Sequence, residues 1–125
     1  MLVTGVDIIE IHRVKNTVER WGDRFLQRIY TSQEISYCKG RANSLAARFA
    51  AKEAVMKALG TGLRGVGWRD VEVVRQPGKA PTVRLHGKAA QKARELGIRD
   101  LAISLSHSRD YAVASVVGWI DSTAR

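Results

Sequence analysis

Residues 2–9 are short, β-branched and apolar, a composition that predicts a strand. From Ile11 the spacing changes. Ile11, Val14, Val18 and Trp21 recur on one face of a helix. Arg13, Arg20 and Arg24 share another face, with Arg28 beside them, if that helix is continuous. Gly22-Asp23 offers a break, with Asp23 as the cap of a second piece. Thr31-Ser32-Gln33-Glu34 has the spacing of a capping box, in which a hydroxyl and a carboxylate each satisfy a free backbone N–H.

An alanine-rich helix follows, with Ser44 as its expected cap and Gly60 as its expected left-handed end. Gly62, Gly65 and Gly67 make the next segment a loop. Residues 70–74 and 82–86 read as strands joined by a Gln76-Pro77-Gly78-Lys79 turn. Residues 88–96 form a short amphipathic helix closed by Gly97. Residues 101–106 and 111–119 are two more strands, paired as an antiparallel hairpin across His107-Ser108-Arg109-Asp110. Residues 122–125 read as a frayed tail. Helices and strands alternate without a βαβ rhythm, which predicts an α+β fold: one domain over residues 1–125, an antiparallel sheet packed with helices.

Charge changes the reading of the alanine-rich helix. Its small side chains suit close packing, yet it carries Arg48, Lys52, Glu53 and Lys57. Charges on such an element need partners or a polar cavity, so the helix reads as the wall of a polar site. The whole chain has 125 residues, 45% of them apolar, enough for a core without disulfides. Its 21 Lys and Arg against 12 Asp and Glu give a net charge of +9. That excess favours nucleic acid, anionic membrane, phosphorylated cofactors or an acidic protein as partners. Cys38 is the only cysteine, so no internal disulfide exists and a Cys-based zinc site is disfavoured; Cys38 is expected to be small and half-buried. No apolar run approaches the ~18 residues of a membrane span. The first ten residues lack the basic and apolar regions of a signal peptide, and a reducing cytoplasm is the expected compartment.

Several residues are candidates for chemistry. Asp7, between Val6 and Ile8, suits a helix cap or a salt bridge, or else a hard-cation ligand with Glu53 as the second carboxylate. Glu53 and Lys57 stand four apart. They suit a surface ion pair worth ~0.2–0.5 kcal/mol. They also suit a metal ligand beside a cation that stabilises phosphate charge or moves a proton. Arg48 and Lys52 form a second pair on another face, and like charges there repel unless an anion or an acidic side chain lies between them. Gly60-Thr61-Gly62 is either a helix cap and turn or a set of N–H groups facing a phosphate. Ser104-Leu105-Ser106-His107 ends a strand. No triad order or Gly-x-Ser-x-Gly elbow accompanies it, and His12 and His86 lack metal-ligand spacing to it. His107 reads as a hydrogen-bond donor to a phosphate or a base. Arg13, Arg20, Arg24 and Arg28 suit either a solvated face or an acidic helical partner, with Phe25 as an apolar anchor.

Four segments in this order carry a resemblance: Gly5 to Ile11 with Arg13, Arg48-Phe49-Ala50-Ala51-Lys52-Glu53-Ala54 with Lys57, Gly60-Thr61-Gly62, and Ser104 to His107. The chain resembles the holo-[acyl-carrier-protein] synthases, the short single-domain type of 4′-phosphopantetheinyl transferase. The likeness runs over nearly the whole chain and includes the Gly78-Lys79-Ala80-Pro81 turn. It implies transfer of the 4′-phosphopantetheine arm of coenzyme A to a serine of an apo acyl carrier protein, in support of fatty acid biosynthesis. It implies Asp7 and Glu53 as Mg²⁺ ligands and Lys57 near the reacting phosphate. Arg48, Gly60, Thr61, Gly62, Ser106 and His107 would border coenzyme A. Arg13, Arg20, Arg24 and Phe25 would meet the acidic helix of the carrier. It also implies a homotrimer with active sites at subunit boundaries. The attacking serine belongs to the carrier, which agrees with the missing triad. The Arg24-Phe25 pair sits one residue farther from Arg13 than in some relatives. A nucleic-acid binder is the rival reading, but no helix-turn-helix, RNA-recognition or zinc signature supports it, and neither nucleic acid nor membrane is expected as a partner.

Overall fold

Strand β1 (Leu2–Glu10) leads directly into α1 (Ile11–Trp21), α2 (Asp23–Ile29), α3 (Ser32–Cys38) and the long α4 (Ala42–Leu59). A 3-10 turn, Trp68–Asp70, precedes β2 (Val71–Val74), β3 (Thr82–Leu85), α5 (Gly87–Leu96), β4 (Ile98–His107) and β5 (Tyr111–Ile120). The computed structural model describes residues 1–62 and 65–121, so the expected tail at 122–125 lies outside the described residues. One sheet has the order β1-β5-β4 and a separate ribbon pairs β2 with β3, all antiparallel. This is the α+β arrangement that the irregular element order predicts.

Helix α4 is buried on almost every side, which its alanines permit. One cluster packs Ala50, Ala54, Val55 and Leu59 between the sheet and the β2-β3 ribbon, against Val71, Ala114 and Val116. A second packs Leu45 and Ala46 under α1 to α3 with Val14, Ile29, Tyr30 and Cys38. Strand β1 approaches α4 so closely that a Cβ on Gly5 would lie 2.0 Å from the Ala54 carbonyl oxygen. Strand alternation then turns Val3, Gly5, Asp7 and Ile9 toward α4, and Leu2, Thr4, Val6 and Ile8 outward.

Local signals hold in most places. Thr31 and Glu34 form the full capping box, and Gly60 (φ 74°) and Gly97 (φ 76°) end their helices left-handed. Gly78 (φ 76°) follows Pro77 in a turn closed by Lys79 N–H to the Gln76 carbonyl, as a type II turn requires.

Several expectations are corrected. Ser44 does not cap α4. Left-handed Lys39 and Gly40 turn the chain early, the helix starts at Ala42, and Arg41 holds the cap position without a side-chain cap bond. Asp23 does not cap α2 either: Gly22 (φ 55°) makes the break, and Asp23 becomes the first helical residue, where its charge still faces the positive helix end. Because of that break, Arg24 and Arg28 stand on a different helix from Arg13 and Arg20. Cys38 is fully buried instead of half-buried, since α3 packs it into the second cluster. Both hairpin strands run longer than expected because β5 pairs on both of its edges.

Candidate active site

The close approach at Gly5 carries Asp7, two residues on, to the C-terminal half of α4. There Lys57 Nζ donates to Asp7 Oδ1 at 2.9 Å and to the Val6 carbonyl at 3.0 Å. Lys57 therefore pairs across to the strand, not back to Glu53 one turn earlier on its own helix. The hydrogen bond to Asp7 raises the Lys57 pKa against desolvation, with the charges of Asp7 and Glu53 adding to it, and keeps the ammonium charged. Glu53 lies beside this pair. Burial raises its carboxyl pKa first, and repulsion from Asp7 raises it further, against Lys57 and Arg13. Two hard oxygen donors thus face one region, one of them countered by an ammonium.

Glu53 and Lys57 also line a cleft of about 200 Å³ with Phe49, Met56, Gly62 and Trp68. The Phe49 and Trp68 rings stack at 4.8 Å with planes 24° apart, and Phe25 lies 6.5 Å beyond Phe49. One aromatic row therefore runs from α2 to the cleft. On the other side of Phe25, a groove of about 530 Å³ between α1 and α2 is lined by Thr17, Trp21, Arg24, Phe25 and Arg28. Arg20 is exposed and covers the Trp21 ring at 5.2 Å. Arg13 is also exposed, on the turn of α1 that faces Glu53 closely enough to lower its pKa.

The remaining candidates are placed elsewhere. In the Gly60-Thr61-Gly62 turn, the Gly60 N–H goes to the Lys57 carbonyl and the Thr61 N–H to the Met56 carbonyl. Those two donors close the helix and are not free for a phosphate; Gly62 borders the cleft. Arg48 is buried and faces α3, its guanidinium 4.4 Å from the Tyr37 ring centre. Its Nη1 reaches the Ser44 carbonyl at 3.4 Å, while Nε and Nη2 are buried without a partner. Ser106 sits opposite Val113, which sits opposite Ile8, so it lies on the outer face of the sheet, away from Asp7. His107 ends β4 two strands from Ile9, with Nδ1 3.3 Å from the Ser108 carbonyl. A single chain does not bring Ser106, His107 or Arg48 into the cleft.

Sequence reasoning did not find Trp68 or the partners of Lys52. Lys52 is buried and bonded to Glu34, an acidic side chain from another helix. The requirement for an acidic group near Arg48 and Lys52 was the one available signal, and it named no residue.

A model of the 4′-phosphopantetheinyl transferase superfamily matches residues 4–116. The holo-[acyl-carrier-protein] synthase of Koribacter versatilis is 57% identical over 121 residues, covering 94% of this chain and 97% of its own length. That of Herpetosiphon aurantiacus is 54% identical over 125 residues, covering 94% and 98%. Among solved structures, Helicobacter pylori holo-[acyl-carrier-protein] synthase in complex with coenzyme A superposes with a TM-score of 0.85 at 34% identity, over 93% of this chain and 99% of that one. A Bacillus anthracis holo-(acyl-carrier-protein) synthase in complex with CoA (3′,5′-ADP) gives 0.77 at 33% identity, over 95% and 96%.

Proposed function

The chain belongs to the 4′-phosphopantetheinyl transferase superfamily, and we propose that it transfers the 4′-phosphopantetheine arm of coenzyme A to a serine hydroxyl of an apo acyl carrier protein. Adenosine 3′,5′-bisphosphate is the other product. The observation that carries the reading is the Asp7–Lys57–Glu53 cluster at the edge of an aromatic cleft.

Phosphoryl-type transfer needs positioning and charge neutralisation more than a protein nucleophile. Lys57, kept charged by Asp7, offsets the negative charge that builds on the reacting phosphate. Asp7 and Glu53 fit Mg²⁺, which is typically held by one or two carboxylates plus substrate phosphates and water. Burial first, and then repulsion from Asp7, raise the Glu53 pKa, and such a cation relieves that repulsion. When bound, it supplies Lewis-acid stabilisation to the pyrophosphate. The cleft beside them holds the arm and excludes water, and Gly62 and the Thr61 hydroxyl border the nucleotide. Arg48, buried against Tyr37 and outside the cleft, is given no contact to coenzyme A within one chain.

The groove between α1 and α2 receives the acidic helix of the carrier, with Arg13, Arg20 and Arg24 as charge partners and Phe25 at its floor. The aromatic row through Phe49 sets this groove next to the cleft.

The chain works as a homotrimer. Leu2, Val6, Ile8, Tyr111 and Trp119 are large apolar residues exposed on the sheet face away from α4. A patch of this kind marks an interface. Ser106 lies on that face, so association through it brings Ser106 toward a neighbouring copy, while His107 stands at the end of the same strand. This supports a site shared between subunits. The free, buried Cys38 suits a reducing cytoplasm, and fatty acid biosynthesis is the setting.

The test incubates the protein with coenzyme A, Mg²⁺ and apo carrier proteins, read by intact-mass spectrometry. A carrier heavier by one phosphopantetheine is expected, with no gain in excess EDTA. No mass gain on any of several carriers overturns the transfer; full turnover in EDTA overturns the metal.

A further inference from the structure

Lys52, the fourth charge of α4, has no place in the transfer chemistry, yet it is fully buried. Its Nζ donates to Glu34 Oε1 at 2.7 Å, to the Trp68 carbonyl at 3.1 Å and to the Val71 carbonyl. An ammonium has three N–H groups, and all are used. Glu34 is equally engaged. Its Oε1 also accepts from the Thr31 N–H at 2.9 Å, and its Oε2 accepts from the Val73 N–H at 2.9 Å.

Such a pair is a weak source of net stability, because desolvating two charges offsets their attraction. Its effect here is geometric. Between them, Lys52 and Glu34 grip the backbone of 68–73 at Trp68, Val71 and Val73, from two helices. Trp68 is the residue whose indole stacks on Phe49 and walls the cleft beside Glu53 and Lys57. Phe49, Lys52 and Glu53 share one helix. The pin therefore fixes one wall of the cleft against the other.

Resting on the transfer reading above, we propose that Lys52 is a positioning residue: with Glu34 it holds the 68–73 backbone so that Trp68 closes the cleft that binds coenzyme A. Lys52 touches no substrate and acts only through Trp68.

The kinetic readout uses the protein with its native tryptophans, and the fluorescence readout alone uses a background in which the two half-exposed indoles are removed, Trp21→Phe with Trp119→Phe, so that Trp68 is the sole tryptophan. Lys52→Met is compared with the charge-balanced Lys52→Met/Glu34→Met, which leaves no unpaired buried charge if the single variant fails to fold. Well below each unfolding midpoint, KM for coenzyme A is expected to rise about tenfold, while KM for the carrier stays within about twofold. Trp68 emission moves to longer wavelength and acrylamide quenching increases. Trp68→Ala raises KM for coenzyme A by a similar factor, and adding Lys52→Met changes it no further. A folded Lys52 variant with unchanged KM for coenzyme A and unchanged Trp68 emission overturns the proposal. So do Lys52 and Trp68 effects that multiply independently. If the parent protein transfers nothing, the transfer reading fails, and Trp68 emission and quenching still decide whether the pin exists.

Discussion

Lys57 reaches across from α4 to Asp7 at 2.9 Å, bridging residues fifty apart in sequence, and leaves Glu53, its neighbour one helical turn away, without an ion pair among the described residues. One carboxylate is neutralised and the other is left with a raised pKa. Both consequences can be measured.

Lys57→Met removes a half-exposed ammonium from Asp7, whose side chain is only 13% exposed. Transfer is expected to fall about 10²-fold or more, since a fixed positive charge at the reacting phosphate is lost. Folding stability should fall by only about 1–2 kcal/mol, since the ammonium end is half exposed although its carboxylate partner is largely covered. Intact-mass rates and urea unfolding test both halves. Wild-type rates in the variant would remove Lys57 from the mechanism.

Glu53 makes stability depend on pH when no divalent cation is present. Its folded pKa is raised, so the folded state holds the proton more tightly than the unfolded chain. Stability contributed by the neutral carboxyl is therefore present at low pH. It is lost as pH rises from the ordinary carboxylate range through the raised folded value. Thermal unfolding in EDTA from about pH 4 to pH 8 should show this decline, and Glu53→Gln should flatten it. Identical profiles for both proteins would contradict the assignment.

Gly5→Ala tests the close approach of β1 to α4. The new methyl meets the Ala54 carbonyl oxygen at 2.0 Å and the Ala58 nitrogen at 3.2 Å, both backbone atoms that cannot swing aside. A loss of about 1–3 kcal/mol or more is expected in denaturant unfolding. Transfer should drop as well, because the strand that moves carries Asp7. An alanine variant as stable as the parent would mean that the helix and strand separate freely.

Ile8→Lys places a charge in the outer apolar sheet face, where Ile8 is 62% exposed. Light scattering is expected to show a trimer for the parent protein and a smaller species for the variant, with transfer falling in parallel. A fully active monomeric parent would dispose of both the trimer and the shared site.

Arg24→Glu reverses one charge of the groove between α1 and α2. KM for the carrier should rise about tenfold or more through like-charge repulsion, with KM for coenzyme A unchanged. Added salt should narrow the difference between variant and parent. Equal carrier KM values at low salt would move the docking surface elsewhere.

Much of this site is legible in sequence because its signals are short-range. Alternation in β1 decides that Asp7 faces inward with Gly5. The capping box at Thr31 and the left-handed Gly60 bound their helices through contacts within a single turn. Asp7, Glu53 and Lys57 can be nominated from residue type and helical spacing. Their partners cannot, because a side chain bonds to whatever element is packed against it. Spacing alone offered Lys57 to Glu53; the packing of β1 on α4 gave it to Asp7. Spacing placed Arg48 and Lys52 together on one face, and the packing of α3 buried both, pairing Lys52 with Glu34 and stacking Arg48 on Tyr37. Trp68 joins the cleft only because the 68–73 backbone is held there by groups from two distant helices. The sequence by itself determined the elements, the inward carboxylate and the cast of charged residues, all through local geometry. The tertiary structure alone decided which charges meet, which are buried and which aromatic rings wall the cleft, because those depend on contacts between segments far apart in the chain.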